Sequence, residues 1–310
     1  MQRATTDVLY FETGPQNRVT MSVHPGEAFE VQTQLNRGPW FDGHPRGEEY
    51  RNKLRGGNPS SGCIDVRGAI PGQMLSVEIG NIALDPIGFT NYRGNNSAMP
   101  GWMGANGIGP QHKVVLIEDG KFRWDERLEL PVAPMIGFVG VSSEYETFAN
   151  TWATRYGGNF DIQEITTGAT VHLPVAVPGA LLHIGDMHAR QGDGEICGAG
   201  GIEASGVVEV RTQLSPLPAS MIWPRVTNAT HIGVATQARP AEDAFRVGLE
   251  EMVRWLVEDY AFTAGDAYLY LGQVLEARVT QFVNPTYTYF LKVARKFLPA
   301  PTQTRIWNIE

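Results

Sequence analysis

Three times in this chain a Pro-Gly pair precedes apolar residues at every second position. Pro25-Gly26 leads to Phe29 and Val31, Pro71-Gly72 to Leu75, Val77 and Ile79, and Pro178-Gly179 to Leu182 and Ile184. Proline presets φ at the second position of a type II turn, and glycine accepts the positive φ of the third. Alternation after such a turn is the period of a strand with one buried face. The device commits most of the first two thirds to sheet. Its unequal spacing excludes a solenoid repeat.

Helical periodicity comes late. Phe245, Leu249, Met252, Val253 and Leu256 form one stripe of an amphipathic helix. Pro240 suits its first turn, and Glu242 and Asp243 complement the dipole there. Thr263 and Asp266 have the spacing of a capping box, so a second helix starts at this point. A strand resumes at 277–283 and stops at Asn284-Pro285. The expected fold is α+β and predominantly β, a sandwich- or barrel-like body with a helical pair near the C-terminus. It is read as one domain over 1–310, or as two β-rich lobes meeting near 130–150.

Composition removes several classes. The chain has 42 % hydrophobic and only 19 % charged residues, which excludes a disordered polyelectrolyte. Its net charge of −8 repels polyanions, and the one basic cluster, Lys292, Arg295 and Lys296, is interleaved with apolar residues as on a solvated helix face or edge. Nucleic acid is therefore not an expected partner. Neither is a membrane, because no apolar run reaches the ~18–20 residues a span needs. Cys63 and Cys197 belong to no C-x-x-C pair and read as two buried free thiols of a cytoplasmic protein.

The segment Gly185-Asp-Met-His-Ala-Arg-Gln-Gly-Asp-Gly-Glu195 carries the chemistry. If the strand through Leu182 and Ile184 continues, Asp186 and His188 fall on the same inward side. An ionised group facing a core costs several kcal/mol unless it is paired or bound to a metal. Arg190 is the only fixed cation nearby, so a divalent cation resolves the mismatch. The Gly192-Asp193-Gly194 step lets the chain turn and return Glu195 toward the same place. His183 has the opposite parity and is expected to face away. Gly57-Asn-Pro-Ser-Ser-Gly62 reads as a plain turn, and the glycine-rich loop 94–110 as an active-site lid.

At these residues the sequence resembles the acetamidase/formamidase family. Residues 185–195 match its G-D-x-H-A-x-Q-G-D-G-E signature without a gap. Gly157-Gly-Asn-Phe-Asp161 matches G-G-N-x-D, and Gly201-Ile-Glu203 matches a G-x-E ending. Gly62-Cys-Ile-Asp-Val-Arg-Gly-Ala-Ile-Pro-Gly72 is similar to the family's early turn, with Cys63 in place of proline. The resemblance implies a β-rich hydrolase with a bound divalent metal, cleaving carbon–nitrogen bonds of short linear amides such as formamide and acetamide.

On that basis Asp186 and His188 would hold the metal, with Asp161 and Glu203 as further ligands from the flanking motifs. Glu195 would act as general base and then acid. Asp193, also assigned to catalysis, would orient His188, while Gln191 and Asn159 would bind the amide. A mixed histidine and carboxylate shell suits zinc first, or manganese; an all-oxygen shell favours calcium. The expected partner is a small amide, and the expected assembly a homo-oligomer. Two alternatives stay open: the same chemistry on a cyclic amide or carbamoyl compound, and a non-catalytic β-rich module holding structural calcium.

Overall fold

The turn at Pro71-Gly72 launches the longest strand, Gln73–Tyr92, which pairs antiparallel with Ile202–Pro216 from Gln73 opposite Pro216 to Phe89 opposite Glu203. A computed structural model describes residues 1–94, 97–303 and 305–308; Asn95 and Asn96 of the glycine-rich loop lie outside the described residues. Gly26, Gly72 and Gly179 take φ of 88°, 88° and 79°, the left-handed backbone that the Pro-Gly turns require. Each turn delivers its alternating residues to one core, where Phe29, Val31, Leu75, Val77, Ile79, Leu182 and Ile184 are all buried.

The sheet is mixed and curled. Its two parallel pairings join Gln2–Ala4 to Ala28–Thr33 and Met21–Val23 to Ser60–Val66, and the rest are antiparallel. The Leu182–Arg190 strand lies in its middle. Met135–Gly140 flanks it on one side; on the other, Ser60–Val66 covers its beginning and Ile202–Pro216 its end. All of its residues but Arg190 are buried. The body is therefore mostly strand, as expected.

The helical pair is Ala241–Tyr260 and Ala264–Val274. The first buries Met252, Trp255, Leu256 and Tyr260 in a second core against the His231–Ala238 and Tyr287–Ala294 strands. The Thr263 hydroxyl accepts from the Asp266 amide at 3.2 Å, closing the N-terminus of the second helix. The basic cluster is not a helix face: Lys292 sits in a strand, while Arg295 and Lys296 form one short turn after it. No helix among the described residues is long and apolar enough to cross a membrane.

Candidate active site

Strand register brings the first two residues together. His188 stands directly opposite Glu203 across the antiparallel pair, and its Nε2 lies 3.9 Å from Glu203 Oε2. Asp186, two positions earlier on the same strand, puts Oδ1 3.6 Å from the same Nε2. Asp161 arrives after the Gly157–Asn159 strand, where its amide donates to the Gly137 carbonyl at 3.2 Å. Ligand atoms of Asp161, Asp186 and His188 all lie within 4.8 Å of one another. Glu195 returns on a short turn, Asp193–Glu195, and its carboxyl meets that of Asp161. Exposure of the five residues runs from 0 % to 8 %, so water cannot solvate this much charge.

One pattern repeats at every member: one polar atom is held by a neighbour and the other is left without a partner. Asn159 Nδ2 donates to Asp161 Oδ2 at 2.8 Å, and Asn58 Nδ2 donates to Asp186 Oδ2 at 3.0 Å. Asn36 Nδ2 reaches Glu203 Oε1 at 3.5 Å, and the Gly200 amide donates to Glu195 Oε1 at 2.9 Å. The remaining atoms, Asp161 Oδ1, Asp186 Oδ1, Glu195 Oε2, Glu203 Oε2 and His188 Nε2, are buried and unpaired. Buried polar atoms are ordinarily satisfied, so five orphans in one cluster mark a place for something else.

The tautomer of His188 follows from Gln191. Gln191 Nε2 donates to the carbonyls of Asp161 and Thr280 at 2.9 and 3.0 Å, which leaves its Oε1 as the acceptor for His188 Nδ1–H at 2.7 Å. Neutral His188 then aims the Nε2 lone pair at two carboxylate oxygens. A proton or a cation must sit between them. Burial works against a charge on His188, but Asp186, Glu203 and Glu195 outweigh it and push the ring up to about 10. Burial and the neighbouring carboxylates also raise Asp161 well above its ordinary value, burial above all raises Glu195, and burial and Asp186 push Glu203 up to about 8. The donor set, one imidazole nitrogen among carboxylate oxygens, fits a divalent metal.

Backbone conformation bears the mark of the same demand. Asp161, Asp186 and Glu195 take φ of 52°, 55° and 47°, a region that non-glycine residues enter rarely and at a cost. Above the cluster opens a cavity of about 330 Å³, with Glu195, Glu203, Asn159 and Asn58 among its lining and Arg37, Arg55 and Arg93 also bordering it.

Several sequence expectations change here. Asp193 is exposed and accepts from Arg278 Nε at 2.7 Å; it is Gln191 Oε1 that accepts from His188 Nδ1–H. Gln191 and Asn159 each have both ends of the amide engaged by protein, and of the two only Asn159 borders this cavity. His183 is buried rather than outward, held by Asn17 and Ser60 at 3.2 and 3.1 Å, because its strand is covered on both faces. Cys63 is buried as expected, but Cys197 is half-buried. Burial, with Asp65 nearby, pushes the Cys63 thiol up to about 12, which makes it a poor nucleophile. The 94–110 loop contains a short helix, Pro100–Ala105, and the Ala98 amide ties it to the Ile196 carbonyl, next to Glu195. Sequence reasoning places Asn58 in a plain turn and gives Asn36 no role; Asn58 takes φ 49°, a left-handed conformation that asparagine tolerates.

Residues 140–293 match the model of the acetamidase/formamidase family. The acetamidase of Mycolicibacterium smegmatis is 27 % identical over 64 % of this chain and 64 % of its own. A formamidase from Methylophilus methylotrophus is 44 % identical over 19 % of this chain, and the chain spans only 14 % of that relative. The crystal structure of an acetamidase from Bacillus halodurans is similar over 95 % of this chain and 98 % of its own, with a TM-score of 0.85 at 26 % identity.

Proposed function

The chain belongs to the acetamidase/formamidase family, and we propose that its buried cluster hydrolyses the carbon–nitrogen bond of short linear amides. The observation that carries this reading is the set of five unpaired buried atoms beneath a cavity open to a small molecule. Asp161, Asp186, His188 and Glu203 would hold a divalent cation, with zinc suited to the mixed donor set. Bound there, such an ion would acidify a water and polarise the amide oxygen.

The protein groups do the rest. Asn159 and Asn58 each fix one carboxylate oxygen and leave the other for the ion, and Gln191 locks the His188 tautomer. Glu195, raised by burial, has an unpaired Oε2 and is one of the residues that line the cavity. It takes a proton from the attacking water and returns it to nitrogen as the C–N bond breaks. The products are carboxylic acid and ammonia, which equilibrate to carboxylate and ammonium. An open cavity over the donors favours catalysis over a closed structural ion site.

The unpaired thiols suit a cytoplasmic setting, and the exposed apolar side chains Val114 and Leu116, two positions apart on one strand, favour a homo-oligomer. The test is ammonia release from formamide and acetamide before and after chelation. Activity should vanish with the metal and return when zinc is restored. Undiminished turnover at a verified metal content near zero would overturn the metal-dependent reading.

A further inference from the structure

The cavity is larger and more cationic than formamide or acetamide demands. Its volume of about 330 Å³ equals on the order of ten water molecules of liquid. Three arginines, Arg37, Arg55 and Arg93, border it on a chain whose net charge is −8. Apart from Glu195 and Glu203, the other lining residues are neutral, most of them asparagine and glycine.

None of the three arginines reaches a carboxylate among the described residues. Arg93 donates through Nη2 to the Arg37 carbonyl at 3.2 Å, and the Asn91 side-chain oxygen, turned to the guanidinium, accepts from Nε at 3.0 Å. Asn91 is itself buried, so Arg93 is held in place before any ligand arrives. Arg55 Nε donates to the Asn52 carbonyl at 3.3 Å.

We propose that the preferred substrate is an amide acid: the amide end enters toward Glu195 and Glu203, and a carboxylate at the far end is bound by Arg37, Arg55 and Arg93. This rests on the amide-hydrolase reading above and adds the substrate class to it. Guanidinium is the group of choice for bidentate carboxylate binding. The rim also explains how an anion approaches an acidic protein with carboxylates at the cavity floor, because local cationic charge steers it. For succinamate, water adds at the amide carbon, the C–N bond breaks, and succinate and ammonium leave.

The experiment compares acetamide, succinamate and succinamide, the neutral diamide of the same length, on the metal-loaded enzyme. Succinamate should exceed succinamide in kcat/KM by about tenfold or more at low salt. Raising salt to about 1 M, where the Debye length is roughly 3 Å, should bring the ratio toward one. The double variant Arg37→Gln/Arg93→Gln, checked for an unchanged melting curve, should do the same at low salt. If that variant does not fold, the salt series and Arg55→Gln carry the test. Hydrolysis of acetamide or succinamide with no preference for succinamate overturns the amide-acid assignment and leaves the hydrolase reading standing. Release of ammonia from none of the three overturns the hydrolase reading, and this inference with it.

Discussion

Gly137 and Asp161 approach so closely that a Cβ on the glycine would stand 2.5 Å from Asp161 Oδ1. The same atom would lie 2.7 Å from Asp186 Oδ2 and 2.9 Å from the Asp186 carbonyl. Gly137 is thus the floor against which both carboxylates are set, and no side chain fits there. Gly137→Ala should displace both groups and weaken metal binding by about 10- to 100-fold, the usual scale for disturbing what orients a ligand. Metal affinity by competition with a chelating dye reads this directly. An alanine variant that binds metal as tightly as the parent would show that the packing is incidental.

Gln191 and Asp193 differ by two positions and should differ completely in consequence. Gln191→Leu removes the acceptor that fixes His188 Nδ1–H and the donors to the Asp161 and Thr280 carbonyls. It should lower metal affinity by about 10- to 100-fold. Asp193→Asn changes an exposed side chain that accepts from Arg278 and Gln163, so metal affinity should stay within about twofold of the parent, as expected for a surface ion pair. Equal losses in both variants would mean that the segment, and not the His188 contact, is what matters.

These two residues also show what a sequence can and cannot tell. The Pro-Gly turns and the alternation after them announced the strands, because both signals are local. Thr263 and Asp266 announced a helix start for the same reason. Gln191 and Asp193 both lie in the eleven-residue segment, and only the turn at 193–195 decides that one faces His188 and the other the solvent. Parity failed at His183 because alternation separates faces only when one of them is wet. Asn36 and Asn58 come from chain regions far from the segment they serve, and their amides meet Glu203 and Asp186 only through sheet pairing. Long-range contacts of that kind leave no spacing to read.

Acid should unfold this protein partly through two histidines. Burial, with Arg225 and Arg295 near His172, lowers His172 to about 3, and burial alone lowers His183 to about 3, against an ordinary value of 6.5. Above 6.5 neither the folded nor the unfolded chain protonates them. Below it the unfolded chain takes up protons that the folded one refuses, so stability falls as pH drops from 6.5 toward 3. The slope approaches about 1.4 kcal/mol per pH unit for each histidine. Urea midpoints at fixed metal concentration should therefore decline through this window, and His172→Gln, which retains polar contacts to Ser76 and Thr227, should decline less steeply. Parallel slopes in parent and variant would remove His172 from the account.

Glu195 and Asp186 separate proton transfer from metal binding. Both carry one anchored and one unpaired oxygen, yet Asp186 lies 3.6 Å from His188 Nε2 while Glu195 borders the cavity. Glu195→Gln keeps size and can still accept from the Gly200 amide, but it cannot take up and return a proton. A general base contributes about 10²–10⁴-fold, so kcat should fall by that much while metal stoichiometry and melting temperature hold. Asp186→Asn removes an anionic donor from the buried cluster, so metal occupancy should fall first and activity in proportion to it. Saturating metal should then rescue Asp186→Asn in part and Glu195→Gln not at all. Metal content and kcat measured side by side on both variants decide the matter. If Glu195→Gln lost its metal while Asp186→Asn kept it and turned over slowly, the two roles would have to be exchanged.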